Sequence, residues 1–366
     1  MLIGIDASRT AKQFKTGTET YSTELIKQLS KIDRKNDYLL YTPRPIGERV
    51  GELGPRFRYR IIPFGKFWTQ VRLSWEFLTR KRPDILFVPA HTLPLVIPRK
   101  TVVTLHDLGF KHFPELYNPT DLFYHNWAMG HSVKHATHII TISEFSKKDI
   151  LANFTIDPAK ITVIYEGYNQ DEFKPLKDKK ILAKPYLLFI GRLEEKKNIV
   201  GMIRAYAILR KEKGVKHQFI LAGSPGFGYE KIKTELDKLP RDVRKDIILP
   251  GYIPQERYVE LLKNADLLFF CTFFEGFGLP PLEAMACGVP VVASNRTSIP
   301  EVVAKAGILV NPEKPFEMAV ALSRVINDEA TRKALISKGF ARASLFSWRK
   351  TAEKTLVVLE KVYNNK

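Results

Sequence analysis

Short runs rich in Val, Ile, Leu and Phe alternate with longer stretches of helical period along the chain, and the alternation starts twice. In the first half the runs predict strands at Leu2–Asp6, Tyr38–Thr42, Tyr59–Pro63, Ile85–Pro89, Val102–Leu105, Ile139–Ile142 and Ile161–Tyr165. In the second half they predict Tyr186–Ile190, Gln218–Ala222, Ile247–Pro250, Leu267–Cys271, Val289–Ala293 and Ile308–Val310. Several runs are apolar on both parities, as strands covered by helices on two faces require. The pattern predicts an α/β chain of two Rossmann-like, doubly wound parallel sheets. Between the halves, Phe173–Pro185 holds two prolines and five lysines and reads as a linker, which puts the boundary near residue 180. The expected units are therefore 1–180, 181–345 and a terminal segment 346–366. In that segment Trp348, Ala352, Leu356, Leu359 and Val362 recur every three or four residues behind Ser347, a fitting N-cap, and predict a helix. Periodicity alone lets this helix pack on its own domain or return to the first. Open parallel sheets bind ligands beyond the carboxyl ends of their strands, so chemistry is expected just after strands.

At 366 residues the chain exceeds what one core usually organises, and 45% apolar residues suffice for two. No apolar run approaches the roughly 20 residues that span a bilayer. Met1–Asp6 has no basic n-region and reads as a strand rather than a signal peptide. Cys271 and Cys287 are too few for a disulfide framework and lack metal-ligand spacing, which fits a reducing cytosol. The net charge of +19 is spread: 25 Lys/Arg against 18 Asp/Glu in residues 1–175, and 33 against 21 thereafter. Spread charge suits a surface that meets anionic substrates or headgroups. No zinc finger, aromatic RNA-binding signature or basic zipper accompanies it, so nucleic acid is not an expected partner. Arg44–Lys100 concentrates the excess, with twelve Lys/Arg against four Asp/Glu. Interleaved with them are Phe57, Tyr59, Phe64, Phe67, Trp68, Trp75 and Phe77. Basic residues beside aromatics suit an anionic membrane surface, while the same aromatics can equally fill a core.

The strongest constellation follows the strand ending at Cys271. Glu275 and Glu283 flank Gly276-Phe277-Gly278-Leu279, two prolines open a helix where a missing N–H costs nothing, and Gly288 ends it. The amides of Gly278 and Leu279 form a ready anion site, and the two carboxylates can hold hydroxyl groups on either side of a bound phosphate. Glu275 to Glu283, followed by Ala-Met-Ala-Cys-Gly-Val-Pro, resembles the glutamate-seven-glutamate motif of family 4 glycosyltransferases with the GT-B fold. A second constellation, Gly191-Arg192-Leu193 with Lys197-Asn198, follows the first strand of the second half and is similar to that family's Gly-Arg-Leu…Lys-Asn motif. Two permanent cations near a helix start suit a pyrophosphate whose charge grows as it leaves.

The resemblance covers nearly the whole chain. It implies two Rossmann-like domains facing each other across a cleft, with the last helix crossing back to the first domain. It implies that Glu275 holds hydroxyls of the donor sugar, that Glu283 binds the ribose, and that Arg192 and Lys197 clamp the diphosphate. His106, in Thr104-Leu105-His106-Asp107 at a strand end, would meet the donor sugar near the reacting centre, with Asp107 orienting the loop. Relatives often carry paired glycines after the first strand; this chain keeps Gly17 alone, in Lys15-Thr16-Gly17-Thr18, which still allows a backbone contact. Gly223, in a loop that matches a dinucleotide fingerprint only weakly, reads as nucleotide-side, and Ile253 as lying by the base. With no Asp-x-Asp motif, neither metal nor other cofactor is expected. The histidines His112, His125, His131, His135 and His138 cluster around a helix rich in aromatics, where core or surface roles outweigh zinc.

The activity implied is retaining transfer of a hexose from a nucleotide-diphosphate sugar to a glycan or lipid-linked acceptor. GDP-mannose is the favoured donor, because the His106 and Glu275 contexts resemble bacterial mannosyltransferases of polysaccharide assembly. The alternatives are a UDP-hexose or UDP-N-acetylhexosamine, or, in another class, a sugar-nucleotide epimerase of the same fold. The expected location is the cytoplasm, peripheral on the inner face of the membrane.

Overall fold

The computed structural model describes residues 1–12, 17–176 and 184–365. Lys15 and Thr16, and residues 177–183 of the expected linker, lie outside them. The chain divides into two units: Met1–Gly167 with Ser347–Lys366, and Tyr168–Phe346. The change thus falls ahead of the expected boundary near 180. Phe173 is the reason, for it is 3% exposed and packs on Tyr258 of the second unit, while Glu172 accepts a hydrogen bond from Gln255. Composition marked a linker where an aromatic anchor already belongs to the following core.

In the first unit, β1 (Leu2–Asp6), β2 (Asp37–Thr42), β3 (Phe57–Ile61), β4 (Ile85–Val88), β5 (Thr101–Leu105), β6 (His138–Thr141) and β7 (Ile161–Val163) form one sheet in the order β3-β2-β1-β4-β5-β6-β7. In the second, β8 (Tyr186–Ile190), β9 (Gln218–Ala222), β10 (Ile247–Gly251), β11 (Leu267–Phe270), β12 (Val291–Ser294) and β13 (Ile308–Val310) run β10-β9-β8-β11-β12-β13. Every pairing is parallel. Strands β4, β5, β8, β11 and β12 are buried at every position, as their two-sided apolar sequences require. Each such Leu, Ile, Val or Phe contributes about 1.5–3 kcal/mol by leaving water. Two predicted strands are displaced by proline: Pro63 falls beyond β3, and β12 begins after Pro290, which has no N–H to give a ladder.

In both sheets the order reverses next to the first strand, between β1 and β4 and between β8 and β11. The crevice beyond such a switch point is where doubly wound sheets bind ligands. The helices that matter below are α1 (Gly17–Ile32), α2 (Pro119–His135), α3 (Ile199–Lys213), α4 (Leu279–Ala286) and α5 (Trp348–Asn364). Helix α5 starts where the Ser347 hydroxyl accepts from the Lys350 amide, and it packs on α1 within the first unit. Its buried stripe is Trp348, Ala352, Thr355, Leu359 and Val362.

Candidate active site

The second unit places its chemistry on both sides of the β8/β11 switch point. Gly191 and Gly223 both have left-handed-side backbone (φ 145° and 153°), and a Cβ on Gly223 would sit 1.8 Å from the Gly191 carbonyl. Only two glycines let the ends of β8 and β9 approach so closely, and the Gly223 amide then donates to the Gly251 carbonyl of β10 at 2.9 Å. This turn sends Arg192 outward. It is exposed, its stem lies along Gly226, and its guanidinium enters none of the ion pairs found among the described residues.

Five residues on, Lys197 closes a short 3-10 turn, Glu195–Lys197. The turn is pinned by Asn198, whose buried amide donates to the carbonyls of Cys271 and Pro312 before α3 begins. Lys197 Nζ therefore reaches the loop after β11, where it lies 2.8 and 2.7 Å from the two oxygens of Glu275. That loop is clamped in turn: the Glu275 amide donates to Thr297 Oγ1 at 3.2 Å, and Ser298 Oγ donates to the carbonyls of Glu275 and Phe277, each at 2.9 Å. Gly276 and Phe277 are buried behind it.

Gly278 (φ 109°) turns the chain into α4 with no side chain capping the helix start, and Pro280 and Pro281 leave Leu279 as an amide donor of the first turn. Glu283, 8% exposed, accepts from the phenol of Tyr258. Burial, reinforced by the Glu283 charge, holds the Tyr258 proton in place far above the ordinary phenol range. Ile253 sits two residues past β10, partly buried. Arg192, Lys197, Glu275 and Glu283 are thus gathered about two strand ends and one helix start. Cations there suit an anion of high charge, and the carboxylates suit hydroxyl groups flanking it.

The first unit has its own strand-end group. His106 follows β5 and is 4% exposed. Its Nε2 is 3.0 Å from the Pro89 carbonyl and its Nδ1 3.5 Å from Glu166 Oε1. Tyr21 of α1 meets the ring edge-on at 4.8 Å, and the His91 ring lies 5.2 Å away. His91 Nδ1 accepts from the His106 amide at 3.4 Å. Burial, then the neighbouring His106, pushes its pKa far below the usual imidazole value. Asp107 accepts from the Gly109 amide at 2.8 Å and shapes the loop. Gly17 begins α1, and a Cβ there would meet nothing within 4 Å.

His91, Glu166 and Tyr21 were missed in the sequence. His91 and Glu166 each lie three residues past a strand, so the strand-end rule that selected His106 would have found them. The other histidines have local partners. His112 pairs with Asp149 at 2.9 Å, His131 with the Pro94 carbonyl, and His138 with Thr162. Among the described residues no group of three or more His, Cys, Asp or Glu could hold a metal ion.

The aromatic and basic segment divides cleanly. Phe57, Trp68 and Phe77 are buried, whereas Phe67, Val71, Trp75 and Leu78 are 59%, 50%, 60% and 59% exposed. Val71, Trp75 and Leu78 are spaced four and three apart along the continuous helical stretch from Trp68 to Thr79, and Phe67, in left-handed conformation (φ 60°), immediately precedes it. Exposed Lys66, Arg80 and Lys81 flank them, and Glu76 is buried between Arg60 and Arg72. No helix among the described residues is long and apolar enough to cross a membrane.

Comparison with known proteins matches residues 15–172 to the family model "Glycosyltransferase Family 4" and residues 170–342 to "Glycosyl transferases group 1". O-antigen chain mannosyltransferase B of Escherichia coli is 29% identical over 365 residues, covering 93% of this chain and 95% of that protein. The serotype-specific mannosyltransferase WbdA of Escherichia coli is 29% identical over 70% of the chain, and the match spans 33% of the length of that protein. Among solved structures, sucrose-phosphate synthase from Thermosynechococcus elongatus superposes over 99% of both chains with a TM-score of 0.78 at 19% identity. That likeness carries the two-sheet GT-B fold.

Proposed function

The chain belongs to the family 4 glycosyltransferases and moves a hexose, and we propose that the hexose is mannose, taken from GDP-mannose with retention of configuration. The observation that carries the donor side is the grouping of Arg192, Lys197, Glu275 and Glu283 around the start of α4. Mannose is favoured by the likeness to an O-antigen mannosyltransferase over nearly all of both chains.

In this reading the diphosphate lies against Arg192, Lys197 and the amide at the head of α4, the ribose hydroxyls against Glu283, and the sugar hydroxyls against Glu275. As the C1–O bond breaks, negative charge gathers on the β-phosphate, where the two cations and the helix dipole stabilise it. The acceptor hydroxyl attacks C1 from the face the phosphate leaves, and its proton passes to the departing phosphate oxygen. No side-chain base is then needed, and the cations do the work that a divalent ion does elsewhere.

The acceptor proposed is a glycan or lipid-linked sugar, met at the inner face of a membrane. The stripe of Phe67, Val71, Trp75 and Leu78 between Lys66, Arg80 and Lys81 supports that reading. Each Lys or Arg near an anionic leaflet is worth about 1 kcal/mol, and the apolar stripe adds burial in the headgroup region.

A thermal-shift series tests the donor. A ligand at a hundred times its Kd stabilises the native state by about 2.7 kcal/mol, which raises Tm by about 5–10 °C for a unit of this size. GDP and GDP-mannose should give this shift, and UDP, UDP-glucose and UDP-N-acetylglucosamine should not. The reverse order would replace GDP-mannose by a UDP-sugar.

A further inference from the structure

Helix α2 ends with two imidazoles one turn apart. His131 and His135 stand at i and i+4, so they share one face of the helix. Their ring centroids lie 4.6 Å apart with the planes tilted by 44°, which is not a parallel stack. Two imidazoles that share an ion through bonds of about 2.0–2.1 Å, at ligand angles between a right angle and the tetrahedral one, hold their centroids about 4.5–5.2 Å apart. The observed spacing falls in that range.

The hydrogen bonding of His131 points the same way. Its Nε2 lies 2.9 Å from the Pro94 carbonyl, which can only accept, so Nε2 carries the proton and Nδ1 keeps a lone pair. A ring N–H given to a backbone carbonyl is the common support of a metal-bound imidazole. It fixes the tautomer and the ring angle and makes the other nitrogen more basic. The same ring is stacked on Trp127, 5.5 Å away at 11°. His135 is exposed and makes no hydrogen bond among the described residues.

The electrostatics of the helix agree. Both rings sit at the carboxyl end of a 17-residue helix, where the negative pole of its dipole favours a cation. Lys134 opposes this, but its Cα is about 100° around the helix from that of His135. Among the described residues no third His, Cys, Asp or Glu joins the pair.

We propose that His131 and His135 form a bidentate surface site for a late first-row divalent ion, Cu²⁺ ahead of Ni²⁺ and Zn²⁺, with solvent in the remaining positions. Imidazole suits these ions, and the order is that of their intrinsic affinities. The site is built from the first unit alone and shares no residue with the cluster of Arg192, Lys197, Glu275 and Glu283. It therefore stands or falls apart from the donor reading.

Cu²⁺ titration of the untagged full chain tests it, read by electron paramagnetic resonance and tryptophan fluorescence. The 1:1 complex should show two equatorial ring nitrogens. His135→Ala should show one at most and bind about tenfold more weakly or worse, with Tm unchanged because the side chain is exposed. His131→Ala should weaken binding likewise. His112→Ala, which removes a ring already committed to Asp149, should change neither reading. Bound Cu²⁺ should quench part of the tryptophan emission, and Trp127→Phe should remove that quenching while keeping the two-nitrogen spectrum. Initial rates with GDP-mannose should be equal in the wild type and His135→Ala. A wild-type spectrum with a single ring nitrogen, or a two-nitrogen spectrum that survives both His131→Ala and His135→Ala, would overturn the site. Transfer lost in His135→Ala at unchanged Tm would overturn its separation from the reaction.

Discussion

Replacing Glu275 by Gln separates two jobs that share one contact. Lys197 Nζ lies 2.7–2.8 Å from both Glu275 oxygens, and the two side chains are only 16% and 12% exposed. A hydrogen bond to a charged group contributes about 1.5–3 kcal/mol, and a pair this sheltered keeps most of that value. Glu275→Gln should therefore cost the fold about 2 kcal/mol, or about 4–8 °C in Tm. Binding should respond differently. A diphosphate must draw Lys197 away from Glu275, so the Gln variant should hold GDP as well as the wild type or up to about tenfold more tightly, since 1.4 kcal/mol is one decade. Transfer should suffer: an acceptor for the hydroxyls of the reacting sugar is lost, at about 10²–10³ in kcat. Titration calorimetry with GDP and initial rates with GDP-mannose read the two effects. GDP binding weakened beyond tenfold with turnover preserved would refute the assignment of Glu275 to the sugar.

Three further outcomes follow from the same geometry. Arg192→Ala should lower kcat/KM by about 10²–10³ if its exposed guanidinium, which enters no ion pair among the described residues, holds the diphosphate as proposed; wild-type initial rates should survive EDTA, and Mg²⁺-reversible loss would count against the cationic clamp. Tyr258→Phe should weaken GDP by about five- to tenfold in calorimetry and leave kcat intact, since the lost hydroxyl aligns only Glu283 and is worth about 1 kcal/mol. Changing both Phe67 and Trp75 to Ser should abolish sedimentation with phosphatidylserine vesicles without lowering Tm, because the two rings are 59% and 60% exposed; unchanged sedimentation would remove this face from membrane binding.

The sheets were legible because strands buried on both faces write themselves as unbroken apolar runs, and all thirteen expected strands are found, most with an end shifted by one or two residues. The two motif segments were legible because glycines and prolines are needed at fixed places in a strand–turn–helix. Pairings between distant segments were not. Lys197 meets Glu275 across 78 positions and Tyr258 meets Glu283 across 25, and no local period records either. Glu166 escaped for a related reason: a carboxylate after a short strand looks solvated until the packing of α5 shows it buried beside His106. The aromatics of Arg44–Lys100 were ambiguous because a helix with one buried and one exposed apolar stripe has no clear amphipathic signature. Only the fold separates Trp68 from Trp75.

The central claim, retaining mannosyl transfer from GDP-mannose, is met most directly by one NMR experiment. GDP-mannose labelled with 13C at C1 is incubated with the protein, phosphatidylserine vesicles and methyl α-mannoside as acceptor, with UDP-glucose and UDP-N-acetylglucosamine in parallel. The account predicts release of GDP and an α-configured C1 signal in the disaccharide, with the UDP-sugars unconsumed. A β-configured product, or consumption of a UDP-sugar in place of GDP-mannose, would contradict it.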